Sequence, residues 1–229
     1  HQCPTNVTMP LERRESRLAW AQRRDRVLIE DDYEMEIGLE GRAQPALKSL
    51  DRSGRVIYVG SLSKTLAPGI RMGYIVAHRD LIREARAMRR LMLRHPAANN
   101  QRSAALFLAM GYHDALLRRL RRACAERSEA IAVALARHLP EVAVATAPGA
   151  SSCWLRFPDG DDTRTIAAAA ERRGVLIEPG DVFFAGDRPP CQYARLGYAS
   201  IATERIEPGI AALAAARAAA RTPARARPS

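Results

Sequence analysis

A β-branched apolar run that stops at a glycine and is followed at once by serines and a lysine constrains this chain more than any other stretch. Residues 56–74 read VIYVGSLSKTLAPGIRMGY, with Lys64 four residues after Gly60 and Arg71 seven residues after the lysine. Val56, Ile57 and Val59 predict a buried strand, and Gly60 with Ser61 predicts its exit into a loop. Of the 36 Lys and Arg residues, only Lys48 and Lys64 are lysine. An arginine stays protonated at neutral pH, whereas a lysine amine can lose its proton and attack a carbonyl. A lysine kept directly after a strand, in a chain that otherwise uses arginine, points to amine chemistry. The competing explanation is a solvated surface lysine.

A second strand narrows the choice. Val27-Leu28-Ile29-Glu30 is a short apolar run that ends in Asp31-Asp32-Tyr33. Such a run reads as a strand of an α/β sheet, and ligands of open α/β sheets bind at the carboxyl ends of the strands. Three acids and a tyrosine are poor core material and by themselves suit a surface turn. Two strands that both end in reactive side chains are harder to dismiss.

These residues resemble the fold-type I pyridoxal-phosphate enzymes of the aminotransferase class I/II group. Within it the chain looks most like the aminotransferase-like domain of MocR (GntR-family) transcriptional regulators, relatives of GabR and PdxR. The matching segments are His1-Gln2-Cys3-Pro4-Thr5-Asn6 with Thr8-Met9-Pro10, IEDDYEMEI (29–37), Pro45–Asp51, GRVIYVGSLSKTLAPGIRMGY (54–74) and ARLGYA (194–199). The resemblance implies an α/β fold, the C-terminal part of a fold-type I transferase: a large-domain remnant with a mostly parallel sheet plus a small α+β domain. It implies pyridoxal 5′-phosphate as cofactor, with Lys64 forming the internal aldimine and shuttling the proton. Asp31 would face the pyridine nitrogen and keep it protonated. Tyr33 would hydrogen-bond the 3′ oxygen. Ser61, Ser63 and Arg71 would hold the phosphate, a role that suits hydroxyls and a bidentate guanidinium. Arg195 would clamp the substrate carboxylate. An amino acid or amine as substrate or effector, a homodimer, and DNA contact only through a module absent from this chain complete what is implied.

Three departures matter. The Pro-Thr-Gly turn of the family is Pro4-Thr5-Asn6 here, and asparagine is the best non-glycine substitute where φ is positive. Many aminotransferases have an asparagine before that proline; Cys3 stands there instead and is a poor donor, which favours the regulator branch. Lastly, the chain begins in the middle of the expected fold, so a fragment that binds the cofactor weakly or not at all on its own is expected.

Composition sets wide bounds. At 229 residues and 47% hydrophobic, the chain is long enough for a sizeable core. No apolar run approaches membrane-spanning length and no signal-type stretch opens the chain, so a cytoplasmic location is expected. Cys3, Cys124, Cys153 and Cys191 are scattered without metal or redox spacing, and the five histidines are isolated, so no metal site is expected. The net charge of +11 invites a nucleic-acid function. Its arginines, such as Arg83, Arg86, Arg89, Arg90 and Arg94, are more simply solvated helix faces. Two other functions stay open: a free-standing amino acid aminotransferase, and a Ser-x-x-Lys acyl enzyme with Ser61 as nucleophile. The acyl enzyme lacks its usual partners, because Lys64-Thr65-Leu66 has no glycine.

Periodicity predicts helices at 11–24, 80–94, 101–110, from 112 to about 140, 163–173 and 203–220. Strands are expected at 27–30, 55–60, 73–77, 142–146, 152–157, 175–177 and 193–199. The expected division is a partial large domain over 1–111, a small domain over 112–220 and a disordered tail over 221–229.

Overall fold

The structure, a computed structural model, describes residues 2–32, 45–146 and 150–221. Tyr33 and residues 222–229 of the expected tail lie outside the described residues. The chain divides into two compact units, Thr8–Arg121 and a second made of the residues up to Val7 together with the chain from Arg122 onward.

The first unit runs α1 (Leu11–Arg23), β1 (Leu28–Asp32), α2 (Leu47–Leu50), β2 (Val56–Ser61), β3 (Gly73–Val76), α3 (Arg79–Leu93) and α4 (Ala98–Ala109). Its sheet has the order β1-β2-β3. β1 and β2 are parallel, with Asp31 opposite Val59, and β3 closes the sheet antiparallel, with Ser61 opposite Gly73. The expected mostly parallel sheet therefore has one parallel and one antiparallel pairing here. The antiparallel step follows from the short loop between β2 and β3, since a parallel return needs a crossover of a dozen or more residues.

Polar groups brace this unit. Glu30 accepts from the backbone N–H of Leu47 (2.7 Å) and of Lys48 (2.9 Å), which satisfies the start of α2. Asp51 accepts from Val56 N at 2.8 Å and from Ser53 N and Oγ, while Lys48 Nζ donates to Val56 O at 2.8 Å. Lys48, the other lysine, is thus a strut between α2 and β2. Apolar burial is sparse by contrast: Ile29 on β1 is 72% exposed and Ile75 on β3 is 48% exposed. The amphipathic pattern expected over 80–94 does form a helix, but no residue of α3 is buried.

The second unit holds most of α5 (Tyr112–His138), then β4 (Ala143–Ala145), β5 (Ser152–Arg156), α6 (Thr163–Glu171), β6 (Glu178–Pro179), β7 (Tyr193–Gly197) and α7 (Ile206–Arg221). Its antiparallel sheet has the order β4-β5-β7-β6. Alternation sends Cys153, Leu155, Ala194 and Leu196 to one face, where they meet Ile166, Ala169 and Ala170 of α6 and Ile206, Ile210, Leu213 and Ala216 of α7. The spacing 206, 210, 213, 216 is one helical stripe, which is why α7 packs on the sheet. Asp162 caps α6 by accepting from Arg164 N at 3.0 Å. At the end of α7, Arg217 is buried and paired with Asp161 (2.7 Å) and Glu141. The expected strand at 175–177 is not one: Val175 and Ile177 pack against the core, and pairing falls instead on Glu178 and Pro179. Among the described residues, no helix is long and apolar enough to cross a membrane.

Asn6 takes the left-handed backbone expected of it, with φ 58°. It is buried, and its Nδ2 donates to Ser152 O at 2.9 Å, a tether that glycine could not make.

Candidate functional site

The lysine lies on a closed loop. β2 ends at Ser61, β3 starts at Gly73, and Leu62 N donates to Met72 O at 3.0 Å across the base between them. Inside, Leu66 N bonds Leu62 O at 2.8 Å, so Ser63, Lys64 and Thr65 form one turn with Lys64 exposed. Ser63 N donates to Ser61 Oγ at 3.2 Å. The loop leaves through a short 3-10 turn, Pro68–Ile70, into Arg71, which sits in left-handed backbone at φ 50° and ψ 45°. A non-glycine residue there is strained, and such strain concentrates where a side chain has to be aimed. Asn100 of α4 donates from Nδ2 to Ile70 O at 3.1 Å and so braces the same turn.

Two glycines make the loop's base possible. A Cβ on Gly73 would lie 2.8 Å from Gly60 O, and one on Gly60 would lie 2.4 Å from the ring of Tyr74. Gly73 cannot carry a side chain while the strands stay paired, and a side chain at Gly60 would have to displace the Tyr74 ring.

The register fixes which side chains share a face. Asp31, Val59 and Ser61 stand on one face of the sheet, while Glu30, Asp32, Tyr58, Gly60 and Tyr74 stand on the other. The acidic run thus separates into three tasks. Glu30 caps α2, Asp31 is exposed on the Ser61 face, and Asp32 accepts from Tyr58 Oη at 2.9 Å. Burial, the bond to Asp32 and a bond with Tyr74 all push the Tyr58 hydroxyl well above the ordinary tyrosine range, so it acts as a fixed donor. Sequence reading missed this Tyr58–Asp32–Tyr74 cluster. Its only signal was two tyrosines on neighbouring strands, and pairing register is not visible in a single sequence.

Of the expected site residues, Ser61, Ser63, Lys64 and Arg71 are therefore brought onto one closed loop, and Asp31 onto the adjoining strand on the Ser61 face. Tyr33 lies outside the described residues. Arg195 belongs to the second unit. It stands on β7 on the sheet face away from the helices, opposite Trp154 on β5 and Glu178 on β6. Its Nη1 donates to Glu178 Oε2 at 3.2 Å, and its Nε is buried without an acceptor among the described residues. Beside it, Trp154 stacks on Tyr193 with centroids 5.5 Å apart, and Phe183 meets the indole edge-on. A Cβ on Gly180 would lie 2.6 Å from Trp154, so the turn after β6 must be glycine to let the indole lie flat.

Comparison with known proteins places this arrangement. The family model described as aminotransferase class I and II matches residues 4–213. The chain is 44% identical over 94% of its length to the HTH-type transcriptional regulator TauR of Rhodobacter capsulatus, covering 45% of that protein. It is 34% identical to the probable rhizopine catabolism regulatory protein MocR of Rhizobium meliloti, over 94% of this chain and 44% of that one. Among solved structures it is similar to the kynurenine aminotransferase of Pyrococcus horikoshii, solved in complex with PMP, with KYN as substrates and KYA as products. The TM-score is 0.88 at 30% identity, covering 96% of this chain and 55% of that one. The chain thus spans about half the length of the relatives it matches. It belongs to the class I and II aminotransferase family.

Proposed function

We propose that this chain carries the lysine-bearing part of a pyridoxal-phosphate-dependent domain that recognises amino compounds, and that it serves a MocR-type transcriptional regulator as its effector sensor. The closed loop with Lys64, Ser61, Ser63 and Arg71 carries the proposal. Family membership implies pyridoxal phosphate, and the donor set fits it. Two hydroxyls and a guanidinium match a phosphate, a carboxylate at a strand's end matches a basic ring nitrogen, and an amine matches an aldehyde. Thr65 Oγ1, buried beside Lys64 without a partner among the described residues, adds unmet polar capacity within the same turn.

The cofactor, when bound, supplies an aldehyde carbon for amine exchange and a ring that withdraws electrons. The chain's own residues then have separate tasks. Lys64 Nζ, when unprotonated, is the nucleophile, and once displaced it can take up and return a proton. Asp31 Oδ holds a proton on a nitrogen facing it. Ser61 Oγ, Ser63 Oγ and the Arg71 guanidinium orient a phosphate, and the strained Arg71 backbone fixes where that guanidinium starts. Tyr33 would donate to the ring oxygen and Arg195 would hold a substrate carboxylate. A cytoplasmic homodimer, with DNA contacted through a separate module, is the setting this function assumes.

Free-standing transamination is the second possibility, favoured by the likeness to the kynurenine aminotransferase. Family membership leaves the Ser61–Lys64 acyl enzyme without support. The test uses the full-length protein containing this chain, incubated with pyridoxal phosphate and reduced with borohydride. Phosphopyridoxyl mass on the peptide containing Lys64 is the expected result, and none on Lys64→Ala; a protein that stays colourless and traps nothing overturns the proposal. Rapid multiple turnover with an amino acid and a keto acid would replace the sensor with the enzyme.

A further inference from the structure

We infer that Glu178 sets the charge selectivity of the surface around Arg195, so that the ligand bound there is an amino compound with a single acid group. The inference rests on Arg195 receiving the ligand's acid group, as proposed above. Glu178 and Arg195 face each other directly across the β6–β7 pairing, and the Nη1–Oε2 distance is 3.2 Å. The side chains are 49% and 25% exposed respectively, so the pair is reachable from solvent. An ion pair this exposed adds little to folding stability, and a glutamate is not needed to hold β6 in place.

Its effect on a ligand is larger. The guanidinium has five N–H donors; Glu178 engages Nη1, and Nε is buried, which leaves the outward-reaching Nη donors to meet a ligand. An incoming carboxylate can therefore use the remaining donors without evicting Glu178, but it must sit within a guanidinium's width of a second negative charge. Trp154, opposite Arg195 on the other flanking strand, offers an apolar wall and no compensating cation. With Arg195 and Glu178 paired, the two side chains together are neutral before the ligand arrives. One carboxylate makes the group singly negative. A second carboxylate on the same ligand adds repulsion that nothing among these side chains offsets, which at this separation amounts to roughly three- to tenfold in affinity.

The experiment takes the full-length protein loaded with pyridoxal phosphate and measures dissociation constants of propionate and succinate by calorimetry. Four forms are compared: wild type, Glu178→Gln, Glu178→Asp and Arg195→Ala. The expected result is that Glu178→Gln tightens succinate relative to propionate by about three- to tenfold, that Glu178→Asp keeps the wild-type ratio, and that Arg195→Ala weakens both anions. If the ratio stays unchanged in Glu178→Gln while Arg195→Ala still weakens both, the selectivity role falls and Arg195 keeps its own. If Arg195→Ala binds both anions as wild type does, or if no form binds either, the role of Arg195 falls and that of Glu178 with it.

Discussion

The two sheets of this protein are held by different forces. In the second unit, Cys153, Leu155, Ala194 and Leu196 lie under two helices, and Leu155, Leu213 and Ala216 are inaccessible to solvent. In the first unit, Val56 is the buried apolar residue of β2, while Ile29 and Ile75 face solvent. What braces the strands that lead into the lysine-bearing loop is a set of polar ties: Glu30 to α2, Asp51 and Lys48 to Val56, and Tyr58 to Asp32. Apolar burial is non-directional, whereas hydrogen bonds specify angle and register. A loop that aims an amine, two hydroxyls and a guanidinium, as proposed above, would gain more from the second kind of support.

The largest expected contrast comes from truncating one apolar residue in each sheet. Leu155→Ala opens a cavity in a packed core and should destabilise the second unit by about 3–5 kcal/mol in urea denaturation. Ile29→Ala, at a position 72% exposed, should stay within about 0.5 kcal/mol. Equal losses at the two positions would erase the distinction.

Asp51 tests the polar ties and gives them a pH dependence. Burial pushes its carboxyl up, but the donors Val56 N, Ser53 Oγ and Ser53 N together with the Lys48 charge outweigh this, and the net position is below the ordinary aspartate range. A depressed folded-state pKa means that the contribution is present above the unfolded value, about 4, and is lost as pH falls through the folded value. Asp51→Asn should therefore cost about 1.5–3 kcal/mol at pH 7, read from exchange of the Val56 amide, and the difference from wild type should shrink below about pH 4. A constant difference across that range would mean that the charge is irrelevant and only the shape of the group counts.

Tyr58→Phe is a smaller perturbation. It removes the Oη–Asp32 bond and leaves the ring, so about 1 kcal/mol should be lost from the β1–β2 pairing, measured by amide exchange along those strands. A larger loss would make this cluster the main tie of the sheet and Asp51 an accessory.

Much of the first unit's layout was legible because it is local. A β-branched run ending at a glycine gives β2, and Lys64 and Arg71 fall on its loop by chain adjacency alone. Asn6 could be assigned positive φ because few other residues accept it. What stayed hidden depends on pairing across the fold. The helix expected at 101–110 starts earlier, at Ala98, so α4 includes Asn99 and Asn100, and Asn100 braces the lysine loop from its first turn. Val175-Leu176-Ile177 has the composition of a strand, yet the pairing residues are Glu178 and Pro179, because the two apolar side chains serve the core and the chain turns immediately afterwards at Gly180. A two-residue strand has no periodicity to detect, which is why Glu178 was overlooked beside Arg195.

The four cysteines give the gentlest test of the contrast, since all of them belong to the second unit and none to Thr8–Arg121. Cys3 and Cys191 are exposed, and Cys124 and Cys153 are buried. Burial pushes the Cys153 thiol up to about 12, and neither its own backbone hydrogen bond nor the nearby Arg195 charge offsets this. At pH 8 only about one Cys153 in ten thousand would be the reactive thiolate, even if a reagent could reach it. A thiol-disulfide reagent added to the native protein should therefore count two thiols quickly and reach four only after denaturant. Leu155→Ala should bring the two slow thiols forward, because it loosens the core that covers Cys153, whereas Tyr58→Phe should leave them slow. Equal acceleration by both substitutions would show that the polar ties of one sheet and the apolar core of the other open as a single cooperative structure, and the division of labour between them would then describe their chemistry but not their stability.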